Sequence, residues 1–234
     1  MGENCKLSNC DMGKKQKVFT KKSANISTKP DEFIIPIIPK YKGNYKFTLK
    51  LLGQHNILNA VASIGASFLL QLPIIQIKKA LKNYQGVKRR FTFLGKINKA
   101  SVYDDYAHHP TEIQATLEIA KKITKNNIII IFQPHRYSRT KSLYSNFINV
   151  LMKAKYLFIS DIYPAGEKPL KGLNSSRLVR DIAKKGSKNV YYLNNFNNFN
   201  SILSSFYEKE NLIIFMGAGS ISQWANDLIE KNYV

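Results

Sequence analysis

The chain has 234 residues, of which 44% are hydrophobic, so it is long enough to bury a core and is ordinary for a globular protein. Its formal net charge of +21 favours anionic partners such as nucleotides, nucleic acid or acidic membrane surfaces. Its 36 Lys and Arg residues are spread through every segment, however, so we favour a solvated basic surface over a dedicated nucleic-acid groove.

The cysteines and the apolar runs of the sequence indicate the cellular compartment of the protein. Cys5 and Cys10 are its two cysteines, and no further Cys or nearby His completes a zinc set, so reduced thiols are expected. The chain opens without the apolar region of a secretory signal, and no apolar run reaches the length of a membrane span. We therefore expect a cytoplasmic protein that does not insert into a membrane.

The first part of the chain predicts a small mixed segment. Residues 1–30 are polar, Lys-rich and without periodicity, so we expect a loop or a poorly ordered start. Two strands and then two helices are predicted to follow, at residues 33–40, 45–53, 55–70 and 74–84.

From Arg89 onward, short apolar strands alternate with amphipathic helices. Helices are predicted over 112–123 and 142–154, and a loop-to-helix connector over the low-complexity stretch 194–200. The predicted strands are 101–105, 127–132, 156–160, 189–193 and 212–217. This alternation predicts an α/β, Rossmann-like and mainly parallel sheet with helices on both faces. Segment 91–97 is expected to be an edge strand that pairs with the strand over 101–105.

Polar and glycine-rich segments follow four of these strands directly. They are YAHHPTE, QPHRYSRT, DIYPAGEKPLKG and AGSIS, whereas the opposite strand ends carry plain Lys and Asn turns. Ligands of open parallel sheets bind outside the carboxyl ends of the strands, so one functional edge is predicted. All four histidines of the sequence also lie at strand ends or helix starts: His55, His108, His109 and His135.

The stretch VYDDYAHHPTEI admits two interpretations, a metal site or a split set of ligand contacts. Asp104 and Asp105 are adjacent in a strand and point to opposite faces, which disfavours joint chelation of one ion. We therefore expect one carboxylate to face a ligand hydroxyl, and Tyr106 with His108 to face a second ligand. His109 and Pro110 are expected to begin the following helix.

Two further segments have open interpretations. In QPHRYSRT, Arg136 and Arg139 can present a fork to a carboxylate or phosphate, or they can be solvated residues at a helix start. Cations at a helix N-terminus oppose its dipole, so a bound anion would help to explain them. The segment MGAGSIS is either an anion cradle or a plain tight turn before a helix.

Five motifs in order resemble the Mur ligase family: GQHNILNAVASI, GVKRRF, YDDYAHHPTEIQATL, FQPHRYSRT and YPAGEKPLKG. The resemblance implies an ATP-dependent ligase of peptidoglycan precursor synthesis that forms an acyl phosphate and transfers the acyl group to an amine. Its motifs are most similar to those of the member that joins L-alanine to UDP-N-acetylmuramate. A recycling ligase that attaches a tripeptide to the same sugar nucleotide stays an alternative, because Ala107 is typical of it.

The resemblance also assigns site residues. It implies that the helix at HNILN approaches adenine through three residues: His55, Asn56 and Asn59. It implies that Arg90 reaches the ATP phosphates and that Asp105 binds the ribose. A further set is implied to surround L-alanine and the muramoyl end: Tyr106, His108, His135, Arg136 and Arg139. Of these, we expect His108, His135 and Arg136 to be catalytic.

Family members have three domains, and the resemblance places this chain in the C-terminal half. Residues 31–88 would be the end of a P-loop-type ATPase domain, and residues 89–234 the C-terminal Rossmann-like domain. The P-loop ending in Gly-Lys-Thr, the Mg²⁺ ligands and the UDP-binding domain have no counterpart in the sequence. We therefore expect a chain that is inactive alone and has a separate N-terminal half as partner. The alternative from another class is a non-catalytic basic module that binds nucleotide or nucleic acid.

Overall fold

The computed structural model describes residues 25–26, 32–35, 45–194 and 199–232. The chain separates into two compact units, residues 1–84 and 85–234. The boundary predicted from the sequence, between residues 88 and 89, lies four residues later. In the part of the chain that the structure describes, no helix has the length and apolarity that crossing a membrane requires.

The first unit combines three antiparallel strands with two helices. The strands are β1 (Asn25–Ile26), β2 (Glu32–Ile35) and β3 (Tyr45–Thr48), and the helices are α1 (Gln54–Leu69) and α2 (Ile74–Asn83). Buried side chains of β3 and both helices form its core, with Phe47 and Ile64 almost fully buried. The loop predicted over 1–30 lies outside the described residues except for β1, and so does the end of the strand predicted over 33–40.

The second unit is built on a six-stranded sheet. Its strands are β4 (Thr92–Ile97), β5 (Ala100–Asp105), β6 (Ile128–Phe132), β7 (Tyr156–Ser160), β8 (Val190–Leu193) and β9 (Leu212–Met216). Their order is β4-β5-β9-β6-β7-β8, and all neighbouring pairs are parallel except β4 with β5. The mainly parallel sheet and the pairing of an edge strand over 91–97 with the strand over 101–105 are therefore confirmed, and the structure shows that this pair is antiparallel.

Helices cover both faces of this sheet. They are α3 (Pro110–Ile123), α4 (Tyr137–Ser142), α5 (Tyr144–Leu151), α6 (Ser175–Lys184), α7 (Phe199–Ser204) and α8 (Ile221–Asn232). One core packs the sheet against α3, α5 and α6, and the other packs it against α7 and α8. The Rossmann-like prediction is confirmed.

One helix prediction was wrong in its bounds. A single helix was expected over 142–154, but α4 ends at Ser142 and α5 begins at Tyr144. Leu143, with φ −111° and ψ 21°, interrupts the helix between them. The break separates a short helix that follows the site from one that fills the core with Phe147 and Leu151.

The position of the last strand decides what meets at the carboxyl edge. Strand β9 lies between β5 and β6, and its Met216 is in register with both Asp105 and Phe132. The segments after these three strands therefore start side by side. Beyond β6 and β7, His135 and Tyr163 form a further parallel bridge that continues the edge.

Candidate functional site

Asp104 and Asp105, at the end of β5, point to opposite faces of the sheet, as their alternation requires. Asp104 accepts a 2.6 Å hydrogen bond from the hydroxyl of Ser222 in α8, and Asp105 accepts one from Thr116 in α3. The two carboxylates thus face helices on different sides. No group of three or more His, Cys, Asp or Glu able to hold a metal ion occurs among the described residues.

Asp105 organises the backbone on either side of itself. Its carboxylate accepts hydrogen bonds from the N–H groups of Ala107 (2.7 Å) and Phe91 (3.0 Å) and from the Thr116 hydroxyl (3.2 Å). The residue is only 5% exposed. Burial raises the pKa of Asp105 to about 6, and the three donors offset part of that rise. This carboxylate fixes the turn that carries Tyr106 and the start of β4.

Helix α3 starts at His109 and Pro110, as the sequence predicted, and its first turn is closed by a capping box. His109 is the N-cap with Pro110 in the first turn, and the imidazole accepts a hydrogen bond from Thr111 N–H. The Glu112 carboxylate accepts the backbone N–H groups of His108 (3.1 Å) and His109 (3.2 Å). These hydrogen bonds and the nearby His108 ring outweigh burial and lower the pKa of Glu112.

Four rings form a column along the carboxyl edge. The Tyr106 and His108 centroids are 5.1 Å apart, those of His108 and His135 are 5.6 Å apart, and those of His135 and Tyr163 are 5.5 Å apart. The first two contacts are edge-to-face and the third is stacked. The column joins the segments after β5, β6 and β7, and it includes three predicted site residues and Tyr163.

Arginines surround this ring column. The guanidinium of Arg90 lies 5.4 Å from the Tyr106 ring centroid and 3.6 Å from the Glu112 carboxylate. That of Arg139 lies 3.2 Å from His135 Nδ1. Arg136 has a left-handed φ of 69° and donates its backbone N–H to the Tyr163 carbonyl.

Burial and three neighbouring basic side chains lower the pKa of His135. Burial contributes most, followed by His108, Arg139 and Arg136, while Glu167 opposes them. The site therefore holds a neutral imidazole among arginines, an arrangement suited to an anionic group.

A carboxylate of the chain itself, that of Glu167, binds at the N-terminus of α4. The Glu167 carboxylate accepts hydrogen bonds from the Ser138 N–H (2.9 Å) and hydroxyl (2.6 Å). Hydrogen bonds from the Ser138 hydroxyl and N–H lower the pKa of Glu167. The arginines at this helix start thus do not by themselves require a bound anion, because Glu167 already offsets the dipole there.

Side chains from other segments hold the glycine-rich turn after β9 through hydrogen bonds. Arg89 donates 2.7 Å and 3.3 Å hydrogen bonds to the carbonyls of Gly217 and Gly219, and its Nε lies 3.5 Å from the Asp104 carboxylate. The Arg89 guanidinium also lies 4.8 Å from the Tyr106 ring centroid.

Gln133 also holds this turn through hydrogen bonds. Its side-chain oxygen accepts the N–H of Ile221, and its Nε2 donates to the hydroxyl of Ser220. A Cβ on Gly219 would lie 2.5 Å from the Tyr163 ring, so this close approach excludes a side chain. The geometry favours a tight turn over an anion cradle.

The predicted adenine-facing residues belong to the first unit. His55, Asn56 and Asn59 lie in the first two turns of α1, whose N-cap Gly53 has φ 103°. His55 and Asn59 are exposed, and the Asn56 amide donates to the Leu52 carbonyl at 2.8 Å. The other seven predicted site residues belong to the second unit, where Arg90 and Asp105 flank Tyr106.

Sequence reasoning did not single out several residues of this edge. Arg89, Gln133 and Glu167 stood inside quoted motifs, but their partners are distant in the sequence; Arg89 and Gly217 are 128 residues apart. Tyr163 carried two signals, its place in the segment that follows a predicted strand and its position at the start of the motif YPAGEKPLKG.

Comparisons with known proteins agree with the five motifs. The family model described as Mur ligase, glutamate ligase domain, matches residues 89–219. The UDP-N-acetylmuramate–L-alanine ligases of Geotalea uraniireducens and Rickettsia felis are 39% and 44% identical to the chain over 201 and 187 residues. These matches cover 85% and 78% of the chain but 44% and 39% of the relatives, so it spans about two fifths of their length.

Solved structures show the same fold. A UDP-N-acetylmuramate–alanine ligase from Thermotoga maritima superposes with a TM-score of 0.68 at 28% identity, over 86% of this chain and 43% of that one. A murein peptide ligase from Psychrobacter arcticus gives a TM-score of 0.64 at 20% identity, over 88% and 43%. The second likeness is one of fold alone.

Proposed function

Because the chain belongs to the Mur ligase family, we propose that it is the C-terminal portion of an ATP-dependent ligase joining L-alanine to UDP-N-acetylmuramate in peptidoglycan precursor synthesis. The observation that carries the proposal is the ring column with its arginines at the carboxyl edge of the sheet. Identities of 39% and 44% to ligases of that name favour L-alanine as the amine over a tripeptide.

The amino-acid pocket is assigned to the segments after β5 and β6. Arg136 and Arg139 supply guanidinium donors for the carboxylate of L-alanine, and His135 adds a neutral donor. Tyr106 and His108 flank the opposite side, toward the attacking amine and the muramoyl end. Positive charge beside the reacting atoms also stabilises the departing phosphate.

A second set of residues is proposed to contact ATP. Arg90, whose side chain is half exposed, is available to the ATP phosphates despite its 3.6 Å contact with Glu112. Asp105 accepts three hydrogen bonds, and a carboxylate has about four lone-pair sites, which leaves one for a ribose hydroxyl. The exposed His55 and Asn59, with Asn56, are proposed to approach the adenine.

When bound, ATP supplies the phosphoryl group that converts the substrate carboxylate into an acyl phosphate. The residues of this chain orient that group against the amine and hold water away. We assign the phosphate cradle and the Mg²⁺ ligands to a separate N-terminal half. The first unit is proposed to be the end of the ATPase domain.

A binding experiment tests the pocket. Backbone amide NMR shifts of the ¹⁵N-labelled chain are followed during titration with UDP-N-acetylmuramoyl-L-alanine, ATP or a DNA duplex. We expect the first ligand to shift residues 106–112 and 133–139. Arg136→Ala should weaken that binding about tenfold or more, as loss of a charged hydrogen bond does, whereas Arg180→Ala on the exposed face of α6 should not. Binding of DNA alone, with a steep salt dependence, would instead support the basic binding module.

An activity experiment tests whether the chain alone contains a complete active site. The purified chain should form no ADP in response to L-alanine, and addition of a P-loop half from a relative should restore turnover with UDP-N-acetylmuramate. Turnover by the chain alone would contradict the assignment of the cradle to another half. A preference for the tripeptide over L-alanine would identify the recycling ligase.

A further inference from the structure

The proton on the His108 ring is located by its neighbours. His108 Nδ1 lies 2.9 Å from the Tyr106 carbonyl oxygen and 3.3 Å from a Glu112 carboxylate oxygen. A carbonyl and an ionised carboxylate only accept hydrogen bonds, so Nδ1 must carry a proton. In the neutral ring, Nε2 is then the nitrogen with the free lone pair.

The His135 ring has the opposite arrangement. Its Nδ1 lies 3.2 Å from a terminal nitrogen of Arg139, and a guanidinium only donates. Nδ1 is therefore the acceptor, and the proton of the neutral ring is on Nε2. His135 is faced by His108, by the stacked ring of Tyr163 and by three charged side chains, those of Arg139, Arg136 and Glu167. Burial, more than these neighbours, lowers the pKa of His135, which keeps the ring neutral.

We infer that His108 and His135 are held in complementary tautomers, His108 as a proton acceptor at Nε2 and His135 as a hydrogen-bond donor at Nε2. The Tyr106 carbonyl and the Glu112 carboxylate select the tautomer of His108, and the Arg139 guanidinium selects that of His135. The two rings meet edge to face with centroids 5.6 Å apart, so the acceptor ring and the donor ring are direct neighbours at the carboxyl edge.

The charged neighbours of the two rings also favour these separate roles. His108 has a carboxylate beside it, which stabilises the imidazolium once a proton has been accepted. His135 has two arginines beside it, which oppose an imidazolium.

The reaction step rests on the proposed function. The amine nitrogen of L-alanine forms the amide bond to the acyl carbon, and the bond from that carbon to the phosphate oxygen breaks. Phosphate leaves with the electron pair, and the proton lost by the amine passes to His108 Nε2. His135 Nε2–H donates to a carboxylate or to the developing oxyanion and keeps its proton throughout.

Imidazole ¹⁵N NMR of the whole chain tests the tautomers without any ligand. At a pH of about 8, His108 should show a protonated-type Nδ1 and a lone-pair Nε2, and His135 the reverse. Arg139→Gln should introduce Nδ1-protonated His135, whereas Arg180→Gln should leave both patterns unchanged. A wild-type spectrum with the same tautomer on both rings overturns the inference, whether or not any variant folds.

A kinetic experiment tests the roles in the reconstituted ligase. His108→Asn keeps a hydrogen-bond donor near the Nδ1 position but removes the proton acceptor at Nε2. We therefore expect kcat to fall about 100-fold or more, with little change in KM for L-alanine. The acidic limb of the pH–kcat profile should disappear as well. Unchanged kcat would overturn the role of His108. If the tautomers are as assigned but L-alanine is not a substrate, the proposed function fails and the tautomer assignment stands.

Discussion

Replacement of Asp105 by Asn tests whether the buried carboxylate makes the second unit more stable in mild acid. Burial raises the pKa of Asp105 from 3.8 to about 6, so the folded state takes up this proton at a higher pH than the unfolded chain does. The contribution to stability is therefore fully present below about pH 4 and is lost as the pH rises through about 6.

The size of the effect follows from the two pKa values. At about 1.4 kcal/mol per pKa unit, the difference corresponds to a limiting free energy of about 3 kcal/mol. About 2 kcal/mol of it should appear between about pH 7.5 and about pH 4.5. Asp105→Asn removes this pH-dependent part. It also costs about 1–3 kcal/mol at every pH, because the new amide cannot accept from all three donors.

The assay is urea unfolding followed by the fluorescence of Trp224, the single tryptophan of the chain, which is partly buried and packs against a core of the second unit. The free energy of unfolding of the wild type minus that of Asp105→Asn is compared at the two pH values. Asp227→Asn, on α8, is the control and should follow the wild type. Parallel pH dependence of wild type and Asp105→Asn would refute the reasoning.

Three further substitutions probe the architecture of the site. Arg89→Met should destabilise the second unit by about 3 kcal/mol or more, because the carboxylate of Asp104 stays buried without its cation; Asp104→Asn in the same chain should recover part of this loss in urea unfolding. Gly219→Ala should cost about 1–3 kcal/mol and weaken binding of UDP-N-acetylmuramoyl-L-alanine, measured by NMR titration; unchanged affinity would contradict the close approach. Glu112→Ala should lower the thermal stability of the chain by about 1–2 kcal/mol through loss of the capping box, whereas Glu118→Ala on the same helix should change it little; equal effects would rule out the cap as the cause.

Local patterns in the sequence predicted the elements of the second unit closely. Each of its six strands lies within one or two residues of a predicted run, because short apolar segments bounded by polar ones have few other ways to be buried. The start of α3 was predictable for the same kind of reason, since a polar N-cap followed by proline at the first turn is a local signal. The break at Leu143 carried no such signal, because neither Gly nor Pro marks it.

What the sequence by itself determined is therefore the six strands of the second unit, the pairing of its edge strand and the family resemblance of five motifs. The tertiary structure alone decided that β9 lies between β5 and β6, since strand order depends on packing between distant segments. That order gives Arg89 its carbonyl partners at Gly217 and Gly219, and it aligns the segments that bring His108 to His135. The proton positions on those two rings follow from neighbours that only the folded chain supplies.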